Sequence, residues 1–361
     1  MKITIMVGNG FDVSLGIKSS YSRFYEWYCD KNSEKPHINS FRKEIKNDVN
    51  RNVPNEEKTW ADFEIGLGKY TSEFTVDTVD DFLDCLEDAQ GSIIEYLTEQ
   101  ERQCDFTQYS NESYMQFAKS LCDFYDEISD LEKLQVSSML NGVPNENREI
   151  YFLTFNYTHT LEQILEHMPN ETLKTWRHGT ASYGYIIKRN VLHVHGTTDE
   201  FPVLGVNDES QIENTALIET PQFRELLIKA ENVNALGKLW HRQAEERISN
   251  SRVVCILGMS IGASDAKWWR KIVQWLKANT SRHLIIYWHE SDPPNGISSR
   301  KQLKCVEQTK ERLLSYAELS PNEKQTLKER MHVVINTSKF MRLKKAERNT
   351  YTERLEEAIT V

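Results

Sequence analysis

The chain has 361 residues, 39% of them hydrophobic and 27% charged, an ordinary globular make-up large enough for two domains or one with a big insertion. A formal net charge of −10 excludes a general basic footprint, so nucleic-acid binding is not indicated. The longest apolar runs are only strand length, which excludes a membrane-spanning helix. Six scattered cysteines (Cys29, Cys85, Cys104, Cys122, Cys255, Cys305) contain no C-x-x-C pair, which argues against a zinc ribbon or a disulfide frame. They read as reduced thiols, and with Met1-Lys2 leading straight into a strand signal the expected location is the cytoplasm.

Residues 2–7 (KITIMV) form a β-branched apolar run that predicts a buried strand. It breaks at Gly8-Asn9-Gly10-Phe11-Asp12 into a helix start around residues 13–17. Two glycines let the backbone approach a ligand closely, although the spacing falls short of G-x-G-x-x-G. A tight strand-to-helix turn without a ligand gives the same pattern. Tyr21, Phe24, Tyr25 and Tyr28 then recur at helical spacing, with Ser19 or Ser20 as N-cap. Residues 47–58 are polar and predict a surface loop, and Trp60-Ala61-Asp62-Phe63-Glu64 opens another helical pattern.

Helical spacing continues through Val79, Phe82, Leu83, Leu86, Ile93, Ile94 and Leu97. A second long pattern runs through Tyr114, Phe117, Leu121, Phe124, Ile128, Leu131 and Leu134. With no strand signal between the first strand and residue 149, residues 36–148 read as a helical insertion lobe. Residues 1–35 and 149–361 then carry the sheet.

Sheet signals return at residues 150–155, ending at Asn156, with a helix over 158–167. Residues 191–195 predict a strand closed by Gly196, and residues 202–206 a shorter one ending at Asn207-Asp208. A helical region covers 221–249. Residues 252–258 are as clear a strand as the first, leading through Met259-Ser260 to a helix bearing Trp268, Trp269 and Trp275. Strands at 284–288 and 332–335 flank a helix over 299–318, and the charged residues 339–354 read as a solvated helix. Alternating strands and helices predict a Rossmann-like, doubly wound, mostly parallel sheet with a large helical insertion. The tryptophan-rich helix reads as core or as a subunit interface, leaving a homo-oligomer open.

In an open α/β sheet, ligands bind beyond the carboxyl ends of the strands. Five predicted strand ends carry small or polar residues, which points to a nucleotide pocket. Its candidate binding residues are Gly8, Asn9, Gly10, Phe11, Asp12, Gly196, Asn207, Asp208, Gly258 and Ser260.

Residues 5–24 (IMVGNGFDVSLGIKSSYSRF), 60–64 (WADFE), 154–162 (TFNYTHTLE), 193–208 (HVHGTTDEFPVLGVND) and 258–265 (GMSIGASD) run in the order in which the AbiH family of bacteriophage abortive-infection proteins carries similar segments. The chain resembles that family across most of its length. The same pieces are distantly similar to the sirtuin-type NAD fold: Ser14-Leu15-Gly16-Ile17 after the glycine turn, Asn156 ending a middle strand, and His195 before Gly196. The resemblance implies phage defence set off by a phage-derived trigger, with NAD as substrate or ligand and Asn156 and His195 as catalytic residues. Phe155 and Thr158 depart from the sirtuin pattern, which carries glutamine and aspartate there. Without C-x-x-C pairs the likeness does not extend to lysine deacylation.

The residue types suit the cleavage of a nicotinamide–ribose bond, since nicotinamide is a good leaving group. An asparagine amide both donates and accepts, so Asn156 would position water or a ribose hydroxyl. His195, with an ordinary imidazole near 6.5, would serve as base. His178-Gly179 competes for the histidine role without a clear preceding strand. Asp12 either bonds a ribose hydroxyl or caps the first helix, and Asp265 reads as a helix cap. Two other readings stand beside this one. In a metal-dependent toxin nuclease, Asp12, Asp62, Glu64, Asp208 and Asp265 would hold Mg²⁺; a nucleotide-sensing module would not catalyse. The leading reading expects no metal.

Overall fold

A computed structural model describes residues 1–51, 59–169, 173–220, 222–293 and 299–345. It is a mixed α/β structure built on one seven-stranded, mostly parallel sheet. The strands are β1 (Lys2–Val7), β2 (Arg148–Thr154), β3 (Thr175–His178), β4 (Ala181–His193), β5 (Val253–Leu257), β6 (His283–Trp288) and β7 (Met331–Ile335). Their order across the sheet is β3-β4-β2-β1-β5-β6-β7, and only β3 runs antiparallel to its neighbour. β1 is central because its residues can be buried on both faces. Lys2 to Val7 pair with Glu149 to Thr154 on one side, and Ile3 to Val7 with Val253 to Leu257 on the other.

Alternate strand residues feed two different cores. Ile3, Ile5, Ile150, Phe152, Val253 and Cys255 pack with Phe117, Leu121, Val136, Leu140 and Ile164 from helices Asn111–Cys122, Asp130–Asn141 and Thr160–His167. Met6, Leu153, Val254 and Ile256 pack instead with Ala244, Trp268, Ile272, Leu313 and Leu327 from helices Trp240–Ser249, Ala266–Ala278, Ser299–Leu314 and Pro321–Lys328. A third core lies off the sheet. Phe24, Tyr28, Phe41, Trp60, Phe63, Phe82 and Leu86 meet Leu204, Val206, Leu217 and Phe223 there.

Residues 36–148 therefore divide between two cores. Helices Pro36–Asn50, Phe63–Tyr70 and Val79–Arg102 build the third core, whereas the helices from Asn111 onward cover a face of the sheet. Among the described residues of this segment, the first strand is β2, at Arg148.

Several local expectations change. Residues 202–206 form no strand; Val206 makes only an isolated bridge to Ile228, and its apolar neighbours serve the third core. The strand expected at 191–195 is the end of the much longer β4, paired with β3 in a hairpin. The pattern over 114–134 splits into two helices at residues 123–129, which leaves Leu131 and Leu134 exposed. The helical region over 221–249 is three helices, Phe223–Leu227, Lys229–Ala235 and Trp240–Ser249. Asn47–Asn50 belongs to a helix, not a loop, while residues 52–58 lie outside the described residues. Residues 339–345 are irregular, and the rest of the expected C-terminal helix also lies outside them. Trp268, Trp269 and Trp275 are core.

Candidate functional site

The parallel strands reverse their order of addition at β1, with β2 and β4 on one side and β5, β6 and β7 on the other. A crevice beyond the carboxyl ends at such a point is where an open α/β sheet accepts a ligand. The residues leaving β1, β2, β4 and β5 converge here on a cavity of about 360 Å³, within the range of small-molecule sites. Gly8, Asn9, Gly10, Asp12, Asn156, His195, Gly258 and Ser260 all line it.

Other expected site residues stand apart. Phe11 is core, and Gly196 turns the chain after β4 with φ +80°. The Asn207 side-chain oxygen accepts from the Lys267 amide at 2.8 Å, and Asp208 caps the turn at Glu209–Gln211 and pairs with Arg270 at 3.2 Å. His178 is exposed at the end of β3.

The glycines have a structural reason to be glycine. Gly10 N donates to Gly258 O, and Gly8 N to Leu257 O, both at 2.9 Å. A Cβ on Gly10 would lie 2.7 Å from Gly258 Cα, and one on Gly258, at φ +70°, would lie 2.6 Å from the Phe11 nitrogen. The turn after β1 is thus joined backbone-to-backbone to the loop after β5. The Gly8, Gly10 and Phe11 amides are committed to carbonyls.

The polar side chains around this junction are unusually buried. Asp12 is 1% exposed; Thr158 donates to its Oδ2 at 2.5 Å, and its Oδ1 has no partner. Burial pushes the Asp12 carboxyl up to about 7, against the Thr158 hydrogen bond and the nearby Asn156 amide and with help from Glu101 and Glu162. Asn156 Nδ2 donates to Gly8 O at 3.3 Å, and Oδ1 has no partner. His195 Nε2 lies 3.3 Å from Asp265 Oδ1 as a hydrogen bond, and its Nδ1 has no partner. Since a carboxylate accepts, the proton sits on Nε2 and Nδ1 keeps its lone pair. Burial holds this imidazole below its ordinary value, and Lys229 adds to that.

Lys229 is the one lysine or arginine among the described residues lining the cavity. Its Nζ lies 2.7 Å from Glu64 Oε2 and 3.2 Å from Asp265 Oδ1, and all three groups are largely buried. One ammonium cannot neutralise two carboxylates. Burial opposes the Asp265 charge, yet Lys229 and His195 outweigh it and hold that carboxyl well below the carboxylate range. Glu64 is left the poorer share, and burial pushes it up to about 8 despite Lys229. Burial likewise pulls at Lys229, but Asp265 and Glu64 hold its ammonium above the usual range.

This network was largely hidden in the sequence. In the sequence Glu64 stands only among the possible Mg²⁺ ligands, and Lys229 lies in a charged helical stretch with nothing to mark it as buried. Trp60 is third-core, and Asp62 caps the helix Phe63–Tyr70 through the amides of Glu64 and Ile65. Of the five carboxylates read as possible Mg²⁺ ligands, Asp12, Asp62, Glu64 and Asp265 line the cavity, Glu64 and Asp265 sharing Lys229, while Asp208 stands apart with Arg270.

The fold and site define an α/β protein with a cavity at the carboxyl edge of its sheet. A family model described as "Bacteriophage abortive infection AbiH" matches residues 4–287. The chain belongs to the AbiH family, which gives it a role in the abortive infection of phage-attacked bacteria. No curated protein matches it. Among the described residues, no helix is long and apolar enough to cross a membrane.

Proposed function

We propose that this abortive-infection protein hydrolyses NAD at the nicotinamide–ribose bond in the cavity, with Asn156 and His195 as catalytic residues. One observation carries the reading: His195 is oriented by Asp265 with Nδ1 unpartnered, and Asn156 and Asp12, which line the same cavity, each have an unpartnered Oδ1. Buried polar atoms are rarely left without partners, and three on residues that line one cavity suit the hydroxyls of a sugar and an attacking water.

Water would add to C1′ of the nicotinamide ribose as the C1′–N bond breaks. Nicotinamide leaves with the bonding pair, losing its ring charge, and the proton from water passes to His195 Nδ1. Asn156 Oδ1 holds the water or the neighbouring hydroxyl. An Asp–His pair of this kind keeps the base in the right tautomer, and a positioned base is worth on the order of 10²–10⁴-fold. Even with Asp12 and Glu64 pushed up to about 7 and 8, the acidic lining faces a single lysine, which suits the cationic nicotinamide ring. The pyrophosphate is left to the Asn9, Ser260 and Ser264 side chains and to backbone amides other than those of Gly8, Gly10 and Phe11.

The strand order and the crevice position support a Rossmann-like, doubly wound reading of the sheet, and with it the distant similarity to the sirtuin-type NAD fold. The same reading places the protein in the cytoplasm, released by a phage-derived trigger, as a monomer or a homo-oligomer. Purified protein incubated with NAD, and separately with RNA and DNA, tests it by chromatography of the products. Nicotinamide and ADP-ribose are expected. Nucleic-acid cleavage with intact NAD would favour a nuclease, and no product from any of the three would favour a sensor.

A further inference from the structure

A second group of side chains converges on the other side of Asn156, and none of it lines the cavity. His193 ends β4, and its Nδ1 donates to the Asn156 carbonyl at 2.9 Å. A carbonyl only accepts, so Nδ1 carries a proton, while Nε2 makes a short 2.5 Å hydrogen bond with Glu162 Oε1. His159 Nε2 lies 3.0 Å from Asp199 Oδ2. Nε2 makes no hydrogen bond there, and Nδ1 lies 4.0 Å from the same Glu162 Oε1. Glu162 Oε2 is buried without a partner.

One ligand atom from each residue lies within 4.8 Å of the other two, and a single proton between His193 Nε2 and Glu162 Oε1 joins two of them. A metal ion in place of that proton would also engage His159 Nδ1 and the unpartnered Glu162 Oε2. His193 also has its far nitrogen held by the Asn156 carbonyl, the kind of outer-shell partner that orients metal-bound imidazoles. We propose that His159, Glu162 and His193 bind a divalent transition-metal ion of the zinc class, with three protein ligands and one open position. Bonds near 2.1 Å put tetrahedral ligand atoms about 3.4 Å apart. The 2.5 Å contact would open and the 4.0 Å one close by less than about 1 Å each.

The side chains are 33%, 24% and 9% exposed for His159, Glu162 and His193, which leaves an entry path from solvent. A second cluster, His37 with Asp81 and Asp84, has the same residue types but differs in one respect. Lys35 Nζ lies 2.6 Å from Asp84 there and already supplies the positive charge. The ion at His193 would tie β4 to the helix Thr160–His167 and fix the Asn156 carbonyl, independently of what the cavity binds.

The test strips the full chain with a chelator, reloads it with Zn²⁺, dialyses it exhaustively and measures zinc per chain by plasma mass spectrometry. Thermal unfolding is followed with and without the ion. Close to one zinc per chain is expected in wild type and in His37→Ala, with a raised unfolding temperature. His159→Ala and Glu162→Gln are expected to retain less than a tenth of that while melting like stripped wild type. His159 is partly exposed, so its variant decides the matter should Glu162→Gln fail to fold. No zinc retained by natively melting wild type, or equal retention in wild type and both variants, overturns the site.

Discussion

Replacing Asp12 by asparagine separates the charge of this side chain from its shape. Asp12 is buried against Thr158, and burial raises its carboxyl from 3.8 to about 7. A carboxyl whose folded value lies above its unfolded one binds its proton more tightly in the folded chain. Its stabilising contribution is fully present below about pH 4 and is lost as pH rises through about 7. About three pH units at 1.36 kcal/mol each make that loss about 4 kcal/mol. Asp12→Asn has no such proton to release, so its stability relative to wild type should climb by several kcal/mol between pH 4.5 and 8. Urea midpoints for both proteins across that range measure the difference. Glu64, pushed up to about 8, titrates in the same sense but is common to both chains and cancels. A difference that stays flat within about 0.5 kcal/mol would refute the buried, proton-holding Asp12.

Lys229→Met leaves Glu64 and Asp265 buried without their cation and should cost about 3–5 kcal/mol; adding Glu64→Gln should restore part of it. Urea midpoints that fall by less than 1 kcal/mol would show the network to be dispensable. Gly16 and Gly258 both have positive φ, but a Cβ meets nothing within 4 Å at Gly16. Gly16→Ala should cost about 1–2 kcal/mol and Gly258→Ala distinctly more, so equal losses in denaturation would remove the claim of close loop contact. Because burial and Lys229 hold His195 below the ordinary imidazole value, the acid limb of kcat/KM for NAD should fall below pH 6.5. A limb above it would contradict the assigned base.

The elements that could be read from the sequence were those whose burial needs no partner to recognise. β1 and β5 are continuous apolar runs because both of their faces are covered, and the Trp268 helix keeps its apolar spacing. The β3–β4 hairpin escaped because it extends the sheet with polar residues such as Ser182, Lys188 and Arg189 on a half-exposed edge. Residues 202–206 misled in the opposite sense, since a loop over a core carries the same apolar letters as a strand. Strand ends located Asn156, His195 and the glycine junction, because parallel strands deliver their carboxyl ends to one edge. Lys229, Thr158 and the Glu64 ion pair depend on contacts up to 165 residues apart, for which local pattern carries no signal. The histidines of the proposed metal site escape for a related reason. His193 looked like a strand residue and His159 like a helix start.

The central claim is that Asn156 and His195 act together on one step, and a double-mutant cycle on nicotinamide release tests it most directly. Asn156→Ala, His195→Ala and the double variant are first matched by urea midpoint to exclude unfolding. Their turnover of NAD is then compared with wild type. Groups that share one step lose activity once, so each single variant and the double should fall by a similar factor, on the order of 10²–10⁴. Folded single variants that retain wild-type turnover, or losses that multiply in the double, would contradict the assignment.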